Sequence, residues 1–268
     1  MRTYIVDSFT KEAFKGNPAG VCFPGQTISD ERMLNVAREF GLSETAFIQS
    51  TDKADTYNIR YFSPKKEIPL CGHATLASAK VIFKNTNAKK IHFITGGKVD
   101  LFITRENEDI TMEFPVYDTI DITVPPPVLN ALGLTEAVNT AYSEKSKIIL
   151  LEIADANLLA RLSPDFKALI ASYQGINGVL VTAPSGNAEY DYHYRYFWPW
   201  AGTDEDPVTG GIQTFLAKYW SKKLGKTSMN AFQPSSRTGY MNVELKGDKV
   251  FLKSQAVIIL EGNLVALD

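Results

Sequence analysis

One stretch of this chain occurs twice. Arg60-Tyr61-Phe62-Ser63-Pro64 returns as Arg195-Tyr196-Phe197-Trp198-Pro199, and Glu67-Ile68-Pro69-Leu70-Cys71-Gly72 returns as Glu205-Asp206-Pro207-Val208-Thr209-Gly210. Both copies run on into a helical pattern in which Ala79-Lys80 matches Ala217-Lys218. A three-residue insertion separates the Phe-x-Pro and Glu-x-Pro parts of the second copy. A repeated strand–turn–helix unit restricts the fold to two similar halves, and 268 residues are enough for two medium domains. It predicts two helix N-termini aimed at a cleft between the halves. Their free amides and partial positive charge suit a small anion.

Any such anion site is local, because the formal net charge is only −2. That balance gives no reason to expect nucleic acid or an anionic membrane as partner. Hydrophobic residues make up 44% and charged residues 22%, the composition of a soluble globular protein. Cys22 and Cys71 are too few for a disulfide framework, and three histidines offer no obvious metal cluster. The opening Met1 to Asp7 reads as a strand rather than a signal peptide, since Asp7 interrupts the apolar run. A soluble, cytoplasmic protein is expected.

Along the chain the pattern is α+β with mainly antiparallel strands. Ser29 or Asp30 caps a helix whose Met33, Val36, Ala37 and Phe40 recur at helical spacing, and Gly41 is its C-cap. Ser43-Glu44 then stands at a helix-to-strand junction, before a strand over 45–48. Strands over 57–62 and 190–197 feed the two repeated units, whose helices are expected at about 74–83 and 212–223. Pro125-Pro126-Pro127 is the best linker candidate. Segments 257–260 and 264–267 read as a closing hairpin around Glu261-Gly262-Asn263.

The candidate chemistry lies at the two loop-to-helix corners. Glycine lets the backbone approach a ligand closely, so Gly72, Ala74, Gly210, Gly211 and Gln213 are the candidate substrate-binding positions. A glycine before a helix often only makes a turn; its duplication favours a ligand. His73 lies in the first corner and is either a proton carrier or a structural hydrogen-bonder. Glu44 is an acid/base candidate or an exposed junction carboxylate, and Asp206 a site residue or a helix cap. Cys71 is a nucleophile, a base or a small buried hydrophobe, and its mate in the repeat is Thr209, not a second thiol.

These residues resemble the phenazine-biosynthesis PhzF-like family, which shares its fold with diaminopimelate epimerase. The matches are Gly16-Asn17-Pro18-Ala19-Gly20-Val21, Gly41-Leu42-Ser43-Glu44-Thr45-Ala46-Phe47, Phe62-Ser63-Pro64 with Glu67, Cys71-Gly72-His73-Ala74-Thr75-Leu76 and Glu205-Asp206-Pro207-Val208-Thr209-Gly210. They occur in family order along nearly the whole chain. The resemblance implies two pseudo-symmetric halves, each a curved, mostly antiparallel sheet around a central helix. It implies a discontinuous first half, 1–117 plus 255–268, a second half, 118–254, and an active site in the cleft between them. It also implies a homodimer that uses no cofactor and acts on a small carboxylate-bearing substrate.

Carried over by position, Glu44 is the proton-shuttling acid/base, with His73 and Asp206 as its catalytic partners. The family reaction is a double-bond isomerisation in which a proton leaves one carbon and returns to another. The chain departs from the family at Gly211-Ile212-Gln213, where Ser-Ala-His is usual, and around Gln233 and Arg237. These departures bear on the substrate more than on the fold. An isomerase of PhzF-like type is the leading reading. An amino-acid epimerase or racemase, and a non-catalytic binding or scaffold protein on the same fold, are the alternatives. No Gly-x-Gly-x-x-Gly fingerprint supports a dehydrogenase.

Overall fold

A computed structural model describes residues 1–201 and 203–265. The chain forms two compact units, one of residues 1–114 together with the chain from Phe251 on, the other Pro115–Val250. These boundaries lie three to four residues before those expected, and the expected extension over 266–268 falls outside the described residues.

The first unit begins with β1 (Arg2–Ser8), β2 (Asn17–Phe23), α1 (Asp30–Phe40), β3 (Glu44–Ser50) and β4 (Thr56–Phe62). It continues through β5 (Glu67–Ile68), α2 (Gly72–Asn85), β6 (Lys90–Thr95), β7 (Asp100–Glu106) and β8 (Asp109–Pro115). The second contains β9 (Ile120–Asp121), α3 (Pro126–Ala131), β10 (Asn139–Ser143), β11 (Ile148–Glu152), α4 (Ala156–Arg161) and α5 (Phe166–Ser172). There follow β12 (Gly178–Pro184), β13 (Tyr192–Trp198), β14 (Thr203–Glu205), α6 (Gln213–Leu224), β15 (Ser228–Gln233) and β16 (Gly239–Lys246). Within β17 (Lys249–Ser254) the chain returns to the first unit at Phe251, and β18 (Ala256–Asn263) follows there.

Strand pairing makes the duplication explicit. In the first unit β1–β2 is antiparallel, β2–β3 parallel, β3–β4 antiparallel, β4–β6 parallel and β6–β7 antiparallel. In the second, β10–β11, β11–β12, β12–β13, β13–β15 and β15–β16 follow the same alternation. Each parallel join needs a crossover. The crossovers are α1 and α2 in one unit, and α4 with α5, then α6, in the other. The three inserted residues are absorbed between β13 and β14, where Pro199–Ala201 forms a 3₁₀ turn. Register is restored beyond it.

Side-chain alternation along the strands sorts residues between the helices. Phe47 of β3 and Phe62 of β4 join a core with Met33, Val36 and Ala37 of α1. Their neighbours Ala46 and Tyr61 face the other way, and the Tyr61 hydroxyl meets Thr75 Oγ1 of α2 at 2.6 Å. In the second unit Val179, Val181 and Phe197 pack beneath α3, α4 and α5 with Val128, Leu159 and Leu169. α1 has the expected caps: Ser29 Oγ accepts from the Arg32 amide, and Gly41 closes the helix at φ +62°.

Two expectations are corrected. The proline triplet is not a linker, because Pro125 is the N-cap of α3 and Pro126 and Pro127 form its first turn. Proline is tolerated there, since first-turn amides have no intrahelical acceptor anyway. The closing segment is not a hairpin around Glu261-Gly262-Asn263. β18 runs straight through it, pairing antiparallel with β1 from Ala256 to Asn263, and residues 266 and 267 lie outside the described residues. Among the described residues no helix is long and apolar enough to cross a membrane.

Candidate active site

Glu44 is the first residue of β3, paired with Ala19 of β2, and lies two positions before Ala46. Period-two alternation therefore turns it to the face that carries α2 rather than to α1. α2 begins at Gly72, so His73 is the second residue of its first turn. The two side chains meet: His73 Nε2 lies 3.2 Å from Glu44 Oε2. Both residues are buried, Glu44 4% and His73 5% exposed.

Cys71, the N-cap residue of α2, completes the cluster, with Sγ 3.4 Å from His73 Nδ1. Ser43 Oγ lies 3.4 Å from Nε2 on the other side, and the Ser8 hydroxyl of β1 donates to the His73 carbonyl at 2.7 Å. Burial pushes the imidazole pKa down to about 3, so His73 is neutral near pH 7. A neutral ring has one donor and one acceptor. With the proton on Nε2, His73 donates to the Glu44 carboxylate and accepts from the Cys71 thiol. With it on Nδ1, the ring donates to Cys71, and Nε2 accepts only from a protonated Glu44 or from the Ser43 hydroxyl. Either way the ring links an acid to a thiol.

The start of α2 supplies a second resource. Its first intrahelical acceptor bond runs from the Thr75 amide to the Cys71 carbonyl at 3.1 Å. The amides of Gly72, His73 and Ala74 precede it and have no intrahelical acceptor. Cys71 makes no side-chain cap bond to them. This is the positively polarised end of a 14-residue helix, beside the carboxylate of Glu44.

The second unit presents different chemistry. Asp206 is 7% exposed and accepts from the Thr209 hydroxyl at 2.6 Å. Gln233 of β15 ties this loop at both ends: its Oε1 accepts from the Thr209 amide and its Nε2 donates to the Asp206 carbonyl. Gly210 and Gly211 form the turn before α6, with their carbonyls accepting from the Gln213 and Thr214 amides. Gln213 is fully buried; its Oε1 accepts from the Tyr192 hydroxyl at 2.6 Å and packs α6 against β13, while its Nε2 has no hydrogen-bond partner among the described residues. Trp200 is likewise a packing residue, donating from Nε1 to the Tyr173 carbonyl.

The repeat shows where the acid/base groups are unique. Matched register pairs, Thr45 with Phe62 and Val179 with Phe197, make Gly178 the counterpart of Glu44. A Cβ at Gly178 would lie 2.6 Å from both the Phe197 carbonyl oxygen and the Tyr196 ring, so no side chain fits there. Thr209 and Gly211 stand where Cys71 and His73 stand in the first copy. The Glu–His–Cys cluster therefore belongs to one half alone.

A family model described as phenazine biosynthesis-like protein, PhzC-PhzF, matches residues 6–265. The chain belongs to this family. It is 40% identical to phenazine biosynthesis-like domain-containing protein 2 of Mus musculus, with 98% of each chain covered. An uncharacterized isomerase of Halalkalibacterium halodurans is 38% identical over 98% of this chain and 97% of its own. The crystal structure of a PhzF-family phenazine biosynthesis protein from Enterococcus faecalis superposes with a TM-score of 0.90 at 34% identity, covering 98% of both chains. The α+β architecture of two similar halves is thus the family's own.

Sequence reasoning named Glu44, His73 and Cys71 but did not join the thiol to the other two. It missed Ser43 and Ser8, although Ser43 adjoins Glu44 in the motif. Gln233 stood out only as a retained residue of an otherwise altered family pattern, and its part in holding the Asp206 loop has no local signature.

Proposed function

We propose that this protein is a cofactor-independent isomerase that moves a proton within a small carboxylate-bearing metabolite. The observation that carries this reading is the buried contact between Glu44 and a neutral His73 at the N-terminus of α2. Glu44 takes a proton from one carbon of the substrate and returns it to another, while His73 holds the carboxyl group in place through Nε2. The amides of Gly72 and Ala74 receive the substrate carboxylate, or the negative charge that develops beside it. On the family resemblance, Asp206 is assigned as a further catalytic partner and the backbone at Gly210 and Gly211 to substrate contact. Gln213 keeps its place among the substrate-contact candidates, since only its Oε1 is bonded to Tyr192 and its buried Nε2 has no partner among the described residues.

Family membership and an isomerase among the relatives support this reading. The asymmetry of the repeat favours it over epimerisation by two matched bases, because Gly178, Thr209 and Gly211 offer no second cluster. The test is exchange of solvent deuterium into candidate carboxylates, followed by mass spectrometry and NMR. Wild-type protein is expected to label its substrate at the donor and acceptor carbons. Glu44→Gln, nearly isosteric, is expected to reduce labelling by roughly 10²- to 10⁴-fold, the usual worth of a general acid/base. Undiminished labelling by that variant would refute the assignment.

A further inference from the structure

We propose that Glu44, Cys71 and His73 form a binding site for a soft divalent metal ion of the zinc type. Oxygen, sulfur and nitrogen donors from the three residues all lie within 4.8 Å of one another, and all three side chains are buried. This is a mixed donor set of the kind zinc takes from Glu, Cys and His.

Bonds of about 2.1 Å to nitrogen and oxygen and about 2.3 Å to sulfur place tetrahedral neighbours about 3.3 to 3.6 Å apart. Glu44 Oε2 is 3.2 Å from His73 Nε2, already at that edge length. Cys71 Sγ is 4.0 Å from the same nitrogen and 3.4 Å from Nδ1, so the thiol must turn toward Nε2. The Glu44–Cys71 edge, within 4.8 Å, must shorten by up to about 1.3 Å for one ion to reach all three. Three protein ligands leave a fourth position for water or a carboxylate, as in open zinc sites.

Binding is balanced simply. The metal ion displaces the thiol proton to solvent, and the sulfur lone pair forms the new bond. The free thiol elsewhere does not compete: Cys22 is buried, its pKa is pushed up to about 12 by burial, and its polar neighbour is the Thr3 hydroxyl at 3.7 Å. An ion held by Glu44 and His73 occupies the groups of the proton shuttle, so it would act as an inhibitor; this consequence rests on the proposed function, whereas binding does not.

The experiment is titration of reduced, chelator-treated full-length protein with cobalt(II), read by absorption. Expected are a thiolate-to-cobalt charge-transfer band and the intense visible bands of a four-coordinate ion, saturating at one equivalent per chain. Both are lost in Cys71→Ser and His73→Gln and kept in Cys22→Ala. Absence of the charge-transfer band in wild type, its survival in Cys71→Ser, or its loss in a folded Cys22→Ala overturns the proposal. Should circular dichroism show the Cys71 or His73 variants unfolded, X-ray absorption of zinc-loaded wild type decides. One sulfur with nitrogen and oxygen scatterers supports the site, and a shell of nitrogen and oxygen alone sinks it. No readout involves turnover, so failure of the isomerase reading and failure of this one are separately visible.

Discussion

At the scale of single residues, the cost of burying His73 should be readable as pH-dependent stability. Its imidazole has a folded pKa of about 3 against 6.5 for the free group, because burial disfavours the cation. Between these values the unfolded chain holds a proton that the folded chain does not. Stability is therefore fully present above about pH 6.5 and falls with decreasing pH, at up to about 1.4 kcal/mol per unit, until about pH 3. His73→Gln removes this dependence. In urea titrations, the stability of wild type minus that of His73→Gln is expected to shrink by up to roughly 3 kcal/mol between pH 7 and pH 4. A difference independent of pH would mean that the folded protein protonates the ring as readily as the unfolded chain. The groups facing the ring, Glu44, Cys71 and Ser43, are kept in the variant, so the subtraction reports His73 together with its coupling to Glu44.

At the scale of elements, the repeated arginine and glutamate are clamps rather than site residues. Arg60 Nε and Nη2 pair with Glu67 at 2.7 and 2.5 Å, and Arg195 pairs the same way with Glu205 at 2.7 and 2.6 Å. Each pair ties β4 to β5, or β13 to β14, ahead of its central helix. Their surroundings differ. The first pair is about a third exposed at both ends, with Asp30 of α1 as a further partner. In the second, Arg195 is 9% exposed and its Nη1 also donates to the Leu159 and Leu162 carbonyls at the end of α4. Glu205→Ala leaves a buried guanidinium uncompensated and is expected to cost about 3–5 kcal/mol, whereas Glu67→Ala should cost about 1 kcal/mol or less. Equal losses in thermal or urea denaturation would contradict this reading of burial. The repeat and the helices were legible because period, caps and glycines are local signals: Ser29, Gly41 and the Met33–Val36–Ala37–Phe40 spacing marked α1 outright. Short elements such as β9, α4 and β14 have too few residues to set a period. The proline triplet misled because its exclusion from helices holds for interiors and not for first turns. The Glu44–His73–Cys71 cluster was half legible: the residue types are there, but a contact between the start of β3 and the start of α2 is a product of pairing register.

At the scale of the whole molecule, the two copies share an architecture while the Glu–His–Cys cluster stands in one, and the two glycines that replace its members differ in their surroundings. At Gly178, the counterpart of Glu44, a side chain is shut out, since its Cβ would meet the Phe197 carbonyl oxygen and the Tyr196 ring at 2.6 Å. The backbone oxygen cannot rotate away, so β12 and β13 would have to part. At Gly211, the counterpart of His73, no atom lies within 4 Å of an added Cβ, and the residue has no positive φ that would strain a side chain. The two glycines thus differ in kind. Gly178→Ala is expected to destabilise the protein by about 1–3 kcal/mol through overpacking, and Gly211→Ala to leave stability within about 0.5 kcal/mol of wild type. Chemical denaturation of both variants under one set of conditions measures the contrast. A neutral Gly178→Ala would show that the strand pair yields readily, and the Glu44 position would then be open to an acid in both halves. If Gly211 contacts substrate as proposed, Gly211→Ala should also raise KM in the deuterium-exchange assay while its unfolding midpoint stays put. A glycine that merely completes a turn would change neither.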